Sequence, residues 1–154
     1  MKKSLVLVLL ELLFLGLSVS AQTVSPVIVE CGKKCSGAFS VTNNGLIPLA
    51  VTVEARSFSM DTQGHATYRT LDAAADLKLD EGSARIAPKG IHTFSYQLKC
   101  SAVPCSVTLL SSMVVGRTAD GIMVRVQLPH TVYACEKQKG CRKSVRAAAG
   151  ITVN

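Results

Sequence analysis

The stretch Gly37 to Ala55, GAFSVTNNGLIPLAVTVEA, decides how the chain is read. Phe39 and Val41 alternate with Ser40 and Thr42 until Asn43-Asn44-Gly45 interrupts the run. After Pro48, Leu49, Val51, Val53 and Ala55 alternate with Ala50, Thr52, Glu54 and Arg56. Period-two alternation on both sides of an Asn/Gly turn predicts two paired strands with one buried face.

Outward from this stretch the turn signals recur about every ten residues. Val24 to Glu30 (VSPVIVE) predicts a first strand, with Pro26 placing it at an edge. Ser57 to Thr70 holds Asp61-Thr62-Gln63-Gly64, a turn or hairpin loop that lacks the spaced acids of a calcium loop. Leu71 to Asp80 mixes an alanine run with alternating leucines and predicts a helical turn, then a short strand reaching Ile86. Pro88-Lys89-Gly90 turns the chain into a strand with His92, Phe94, Tyr96 and Leu98 on one face. Val107 to Val115 forms the next, Asp120-Gly121 signals a hairpin, and Ile122 to Tyr133 is the last. The count is about seven strands without a helix long enough to cover a sheet. The expected fold is all-β, a single immunoglobulin-like seven-stranded β-sandwich.

With 154 residues the chain suits one domain. Apolar residues at 48% and charged residues at 18% describe a folded chain, not a disordered one. Lys2-Lys3, the apolar Leu5 to Leu17 and Val19-Ser20-Ala21 have the layout of a secretory signal peptide over residues 1–21. The competing reading is a membrane anchor, although the apolar run falls short of the ~20 residues that span a bilayer. Residues 22–136 are then the sandwich and 137–154 a tail, with no integral membrane span in the mature chain. The formal charge of +7 becomes +6 once residues 1–21 are removed, with 15 basic side chains against 9 acidic ones. Such a surplus attracts anionic partners. An aromatic content of 5% and the lack of Trp argue against nucleic acid. Lys137, Lys139, Arg142, Lys143 and Arg146 gather the charge in the tail, where a solvated segment is the plain reading.

Six cysteines form three close couples: Cys31 with Cys35, Cys100 with Cys105, and Cys135 with Cys141. An even number in an exported chain implies disulfides, and six thiols allow fifteen connectivities. Each couple brackets turn-like residues, so local pairing that pins strand ends is the expectation, each bridge being worth on the order of 2 kcal/mol. Zinc ligation is the alternative, against which stand the wide spacing and the export signal.

Phe39-Ser40-Val41-Thr42-Asn43-Asn44-Gly45, Pro48 and the Val51/Val53 strand resemble the first domain of periplasmic pilus chaperones and the related PapD-like and major sperm protein domains. Ile86 to Gly90, followed by Phe94 and Tyr96, is similar to that family's turn before its fifth strand. Gly121 to Pro129, GIMVRVQLP, looks like its last strand. The resemblance covers Val27 to Tyr133 and implies that the last strand pairs with a partner subunit by main-chain hydrogen bonds. The implied partner-binding residues are Ile122, Val124, Arg125, Val126 and Leu128. The same apolar side chains could instead fill this domain's own core. Pilus chaperones also have a second sandwich domain, and they grip a subunit carboxylate with an Arg on the first strand and a Lys on the last. Here the chain has room for one domain, the first strand has no basic residue, and the last carries Arg125.

Catalytic patterns are missing. There is no G-x-S-x-G elbow, no phosphate-binding glycine loop and no H-E-x-x-H pair. Pro104-Cys105 lacks the second Cys of a deaminase zinc motif. His65, His92 and His130 fall in or near predicted turns and strand ends and read as surface or satisfied structural residues. The chain is therefore expected to be non-enzymatic and free of cofactors and metal. It is expected in the periplasm or outside the cell, binding a protein partner such as an envelope or fimbrial subunit in a chaperone-like role. A structural surface or pilus-like subunit is the rival reading.

Overall fold

The computed structural model describes residues 21–61, 63–117, 121 and 123–136. The expected leader, Ile122 and the basic tail 137–154 thus lie outside the described residues. Ten strand segments follow one another: β1 (Thr23–Ser25), β2 (Ile28–Cys31), β3 (Lys34–Thr42), β4 (Leu49–Met60), β5 (Ala66–Arg69), β6 (Ala75–Leu79), β7 (Ser83–Ile86), β8 (Ile91–Cys100), β9 (Cys105–Arg117) and β10 (Met123–Ala134). They form two facing sheets. One has the order β1-β3-β8-β6; the other runs β2-β10-β9-β4-β5, with β7 also paired to β4. This is the expected sandwich, with β5 added and two of the seven expected strands each divided.

The divisions have local causes. Val24 to Glu30 is not one edge strand: Pro26 has no amide to continue a ladder, so β1 pairs with β3 while β2 crosses to β10. The segment to Ile86 likewise splits. Asp72 to Ala75 closes a turn through the Ala75 amide and Asp72 carbonyl, 2.9 Å apart, and no helical turn extends from it. After β6, the Asp80-Glu81-Gly82 bend carries the chain to the other sheet, where β7 pairs with β4.

A larger correction concerns the opening stretch. β3 and β4 are not paired; they belong to different sheets. The alternation of each strand identifies its buried face, but the loop between them crosses the sandwich. Asn43 makes that crossing. Its buried Nδ2 reaches the carbonyls of Ile47 (2.8 Å), Ile86 (3.2 Å) and Ala87 (3.1 Å), and its Oδ1 accepts from the Gly45 amide at 3.0 Å. The Asn43 backbone N–H also donates to the Gly90 carbonyl, so one residue holds both loops at this pole.

The core forms where the two inner faces meet: Phe39, Val41, Phe94, Tyr96 and Leu98 from one sheet, and Val51, Val53, Val107, Leu109 and Val132 from the other. Tyr96 lies opposite Gly37 across β3–β8 and uses the space a side chain would take, because a Cβ on Gly37 would stand 2.4 Å from its hydroxyl.

At the opposite pole, Cys31 is bridged to Cys35 and Cys100 to Cys105, which removes the thiolates a zinc site would require. Cys135 is also disulfide-bonded, and Cys141 lies outside the described residues. Cys31, Cys100 and Cys135, one from each couple, come together here: the Cys135 amide donates to the Cys31 carbonyl at 3.0 Å, and the Cys100 amide to the Lys33 carbonyl at 2.9 Å.

Candidate protein-binding edge

β10 is paired unequally on its two sides. Along one side β9 accompanies it from Met123 to Ala134, with a bulge between Val124 and Arg125. Along the other, β2 covers only Thr131 to Ala134. Among the described residues, Met123 to Pro129 therefore have a free main-chain edge. Unpaired backbone donors and acceptors on an open strand are a template for another strand.

The side chains divide by depth. Val126 and Leu128 are half-buried and packed on the core, while Val124 and Met123 are 45% and 61% exposed where the strand runs past it. The two readings of this strand thus fall on different residues of it. The inner pair fills the domain's own interior; the outer pair is presented to solvent. Ile122 lies outside the described residues.

Arg125 projects from the outer face of the sheet. It borders a shallow groove with Thr52, Glu54, Arg56, Ser112 and Gln127. Arg56 is held by Glu54 at 2.8 Å, and Gln127 donates to Ser112 Oγ at 2.9 Å. Arg125 makes no ion pair among the described residues, so its guanidinium is available to an anionic group.

The inner end of the same strand holds a residue that local sequence patterning misplaces. His130 is neither in a turn nor at a strand end; it is fully buried in the middle of the sandwich. Its ring stacks on Phe39 at 4.7 Å between centroids. Nδ1 lies 2.6 Å from the Pro26 carbonyl, which can only accept, so Nδ1 carries the proton. Nε2 then accepts from the Tyr96 hydroxyl at 3.1 Å. Burial pushes the imidazole pKa below its ordinary value, with the Pro26 hydrogen bond opposing, and raises that of Tyr96. A neutral, doubly bonded imidazole is a structural tie between the first-strand crossover and β10. His65 and His92 are surface partners of Asp61 and Glu81, each at 2.9 Å. Among the described residues no cluster of His, Cys, Asp or Glu could hold a metal ion, and no helix is long and apolar enough to cross a membrane.

The arrangement of the two sheets has counterparts among solved structures. A major sperm protein family member of C. elegans, WR4, superposes with a TM-score of 0.53 at 10% identity, over 75% of this chain and 99% of that one. The fold is a PapD-like immunoglobulin sandwich. The E. coli chaperone DraB has the same PapD-like fold at a TM-score of 0.51 and 9% identity, over 74% of this chain and 54% of that one. So does a chain of the CsuC–CsuE chaperone–tip adhesion subunit pre-assembly complex of Acinetobacter baumannii, at 0.52 and 15%, over 82% and 65%. The chain thus spans roughly half to two thirds of the chains it matches in these chaperone structures. No protein-family model matches the sequence, and no curated protein does.

Proposed function

We propose that this is an exported, non-enzymatic protein-binding domain that takes an extended segment of a partner along the open edge of β10, in a chaperone-like role for an envelope or fimbrial protein. One observation carries the reading: β10, whose sequence resembles a pilus chaperone's last strand, is paired on one side only over Met123 to Pro129 among the described residues. The disulfide-bonded pole is in keeping with an oxidising compartment outside the cytoplasm. Main-chain pairing supplies affinity in such a complex, while Met123, Val124 and Arg125 supply contacts that select the partner.

Site-specific photo-crosslinking tests this in the native envelope. A crosslinker at Val124 is expected to capture a partner through an extended segment, whereas one at Thr93, exposed on the other sheet, captures none. Equal adducts from both positions, or none from Val124, would contradict the proposal.

A further inference from the structure

The outer face of the β3-β8-β6 sheet concentrates positive charge at the pole where the cysteines meet. Lys34 on β3 stands directly opposite Lys99 on β8, and Asp76 on β6 is the next residue in that row. One row further in, Ser36, Gln97 and Lys78 stand side by side. These six residues line an open groove of about 510 Å³. Lys33 lies exposed within the Cys31–Cys35 loop beside them, its carbonyl held by the Cys100 amide.

Like charges directly across a sheet disfavour the fold. Here three lysines share the groove with one carboxylate, and none of them makes an ion pair among the described residues. Two disulfides fix the backbone that carries Lys33, Lys34 and Lys99. Glu136, the last described residue, also lies at this pole, since the Cys135 amide before it donates a hydrogen bond to the Cys31 carbonyl. The sequence beyond contains Lys137, Lys139, Arg142, Lys143 and Arg146.

The character of the groove narrows the partner. No aromatic ring in it can stack on a nucleobase. None of its residues is an exposed large aliphatic of the sort that inserts into a bilayer. What remains is an open polar groove with ammonium groups at sheet spacing and neutral hydrogen-bonding side chains, Ser36 and Gln97, between them. That chemistry matches a linear sugar polymer bearing anionic groups, with the ammoniums on the charges and the neutral groups on hydroxyls. We infer that this pole is a binding site for an anionic polysaccharide, separate from the β10 edge.

The test uses the intact chain and heparin as the probe polysaccharide, with phosphatidylglycerol vesicles and an oligothymidylate in parallel. Lys34→Glu with Lys99→Glu is expected to weaken heparin binding roughly tenfold or more and to flatten the salt dependence by about two charges. Lys34→Gln with Lys99→Gln is expected to show a smaller loss at undiminished thermal stability, which keeps the test valid if the reversal variant folds poorly. Capture through the β10 edge should be the same in both variants. Unchanged heparin affinity in the glutamine variant would overturn the inference. So would vesicles or oligothymidylate binding the wild-type chain as tightly as heparin.

Discussion

His130 and Pro26 are joined across the sandwich by a 2.6 Å hydrogen bond from the imidazole Nδ1 to the proline carbonyl. The bond ties the point where the first strand changes sheets to the strand whose outer half, among the described residues, is paired on one side only. Burial holds the imidazole neutral by lowering its pKa from 6.5. The unfolded chain takes up a proton near pH 6.5 that the folded chain resists, so this group's stabilising effect is complete above that pH. It falls as pH drops from 6.5 towards the folded-state value. Urea midpoints should decline between pH 7.5 and pH 5, and His130→Gln should flatten that decline while lowering stability throughout. The carboxylates of Asp61 and Asp72, held below their ordinary 3.8 mainly by bonds from His65 and Arg69 respectively, act only at more acid pH. An unaltered slope in His130→Gln would contradict the assignment.

Gly37 and Tyr96 make a second prediction. A methyl group on Gly37 would stand 2.6 Å from the Tyr96 ring carbon Cζ. Gly37→Ala should cost about 1–3 kcal/mol through overpacking. Much of that cost should vanish in a Tyr96→Leu background, giving a coupling that a double-mutant cycle in urea measures. Additive effects would contradict the packing account.

Asn43→Ala should cost about 3 kcal/mol, because it strands the Ile86 carbonyl and removes the tie between two loops. Asn43→Asp should do no better, since a carboxylate offers no donor to three carbonyls. Recovery of wild-type stability by Asp, read from thermal unfolding, would contradict this.

Arg125 is exposed and unpaired among the described residues, so Arg125→Glu should alter stability by no more than about 0.5 kcal/mol. If a partner's terminal carboxylate is gripped here, as the last-strand lysine does in pilus chaperones, the same change should weaken capture several-fold. Undiminished capture, measured by quantitative pull-down with the identified partner, would remove Arg125 from the binding edge.

The comparison between sequence and structure turns on what alternation can encode. Phe39/Val41, Val51/Val53 and Phe94/Tyr96/Leu98 declare their buried faces because a strand repeats every two residues. The same pattern is silent on which sheet a strand joins, and so β3 and β4 read as a hairpin although Asn43 sends them apart. Pro26 signals an edge, but not a switch between sheets. His130 reads as a boundary residue because imidazole is polar; its place depends on Pro26 and Tyr96, far away in sequence. The last strand was legible from Val124, Val126 and Leu128. Its half-open edge was not, because that depends on how short β2 is.

Amide hydrogen exchange along β10 in the intact chain tests the central claim most directly. With β9 on one side only among the described residues, alternate amides from Met123 to Leu128 should exchange quickly, those of Thr131 to Ala134 should be protected, and a bound partner should protect the first set. Protection of Met123 to Leu128 in the free chain equal to that of Thr131 to Ala134, or no change on partner binding, would contradict an open binding edge.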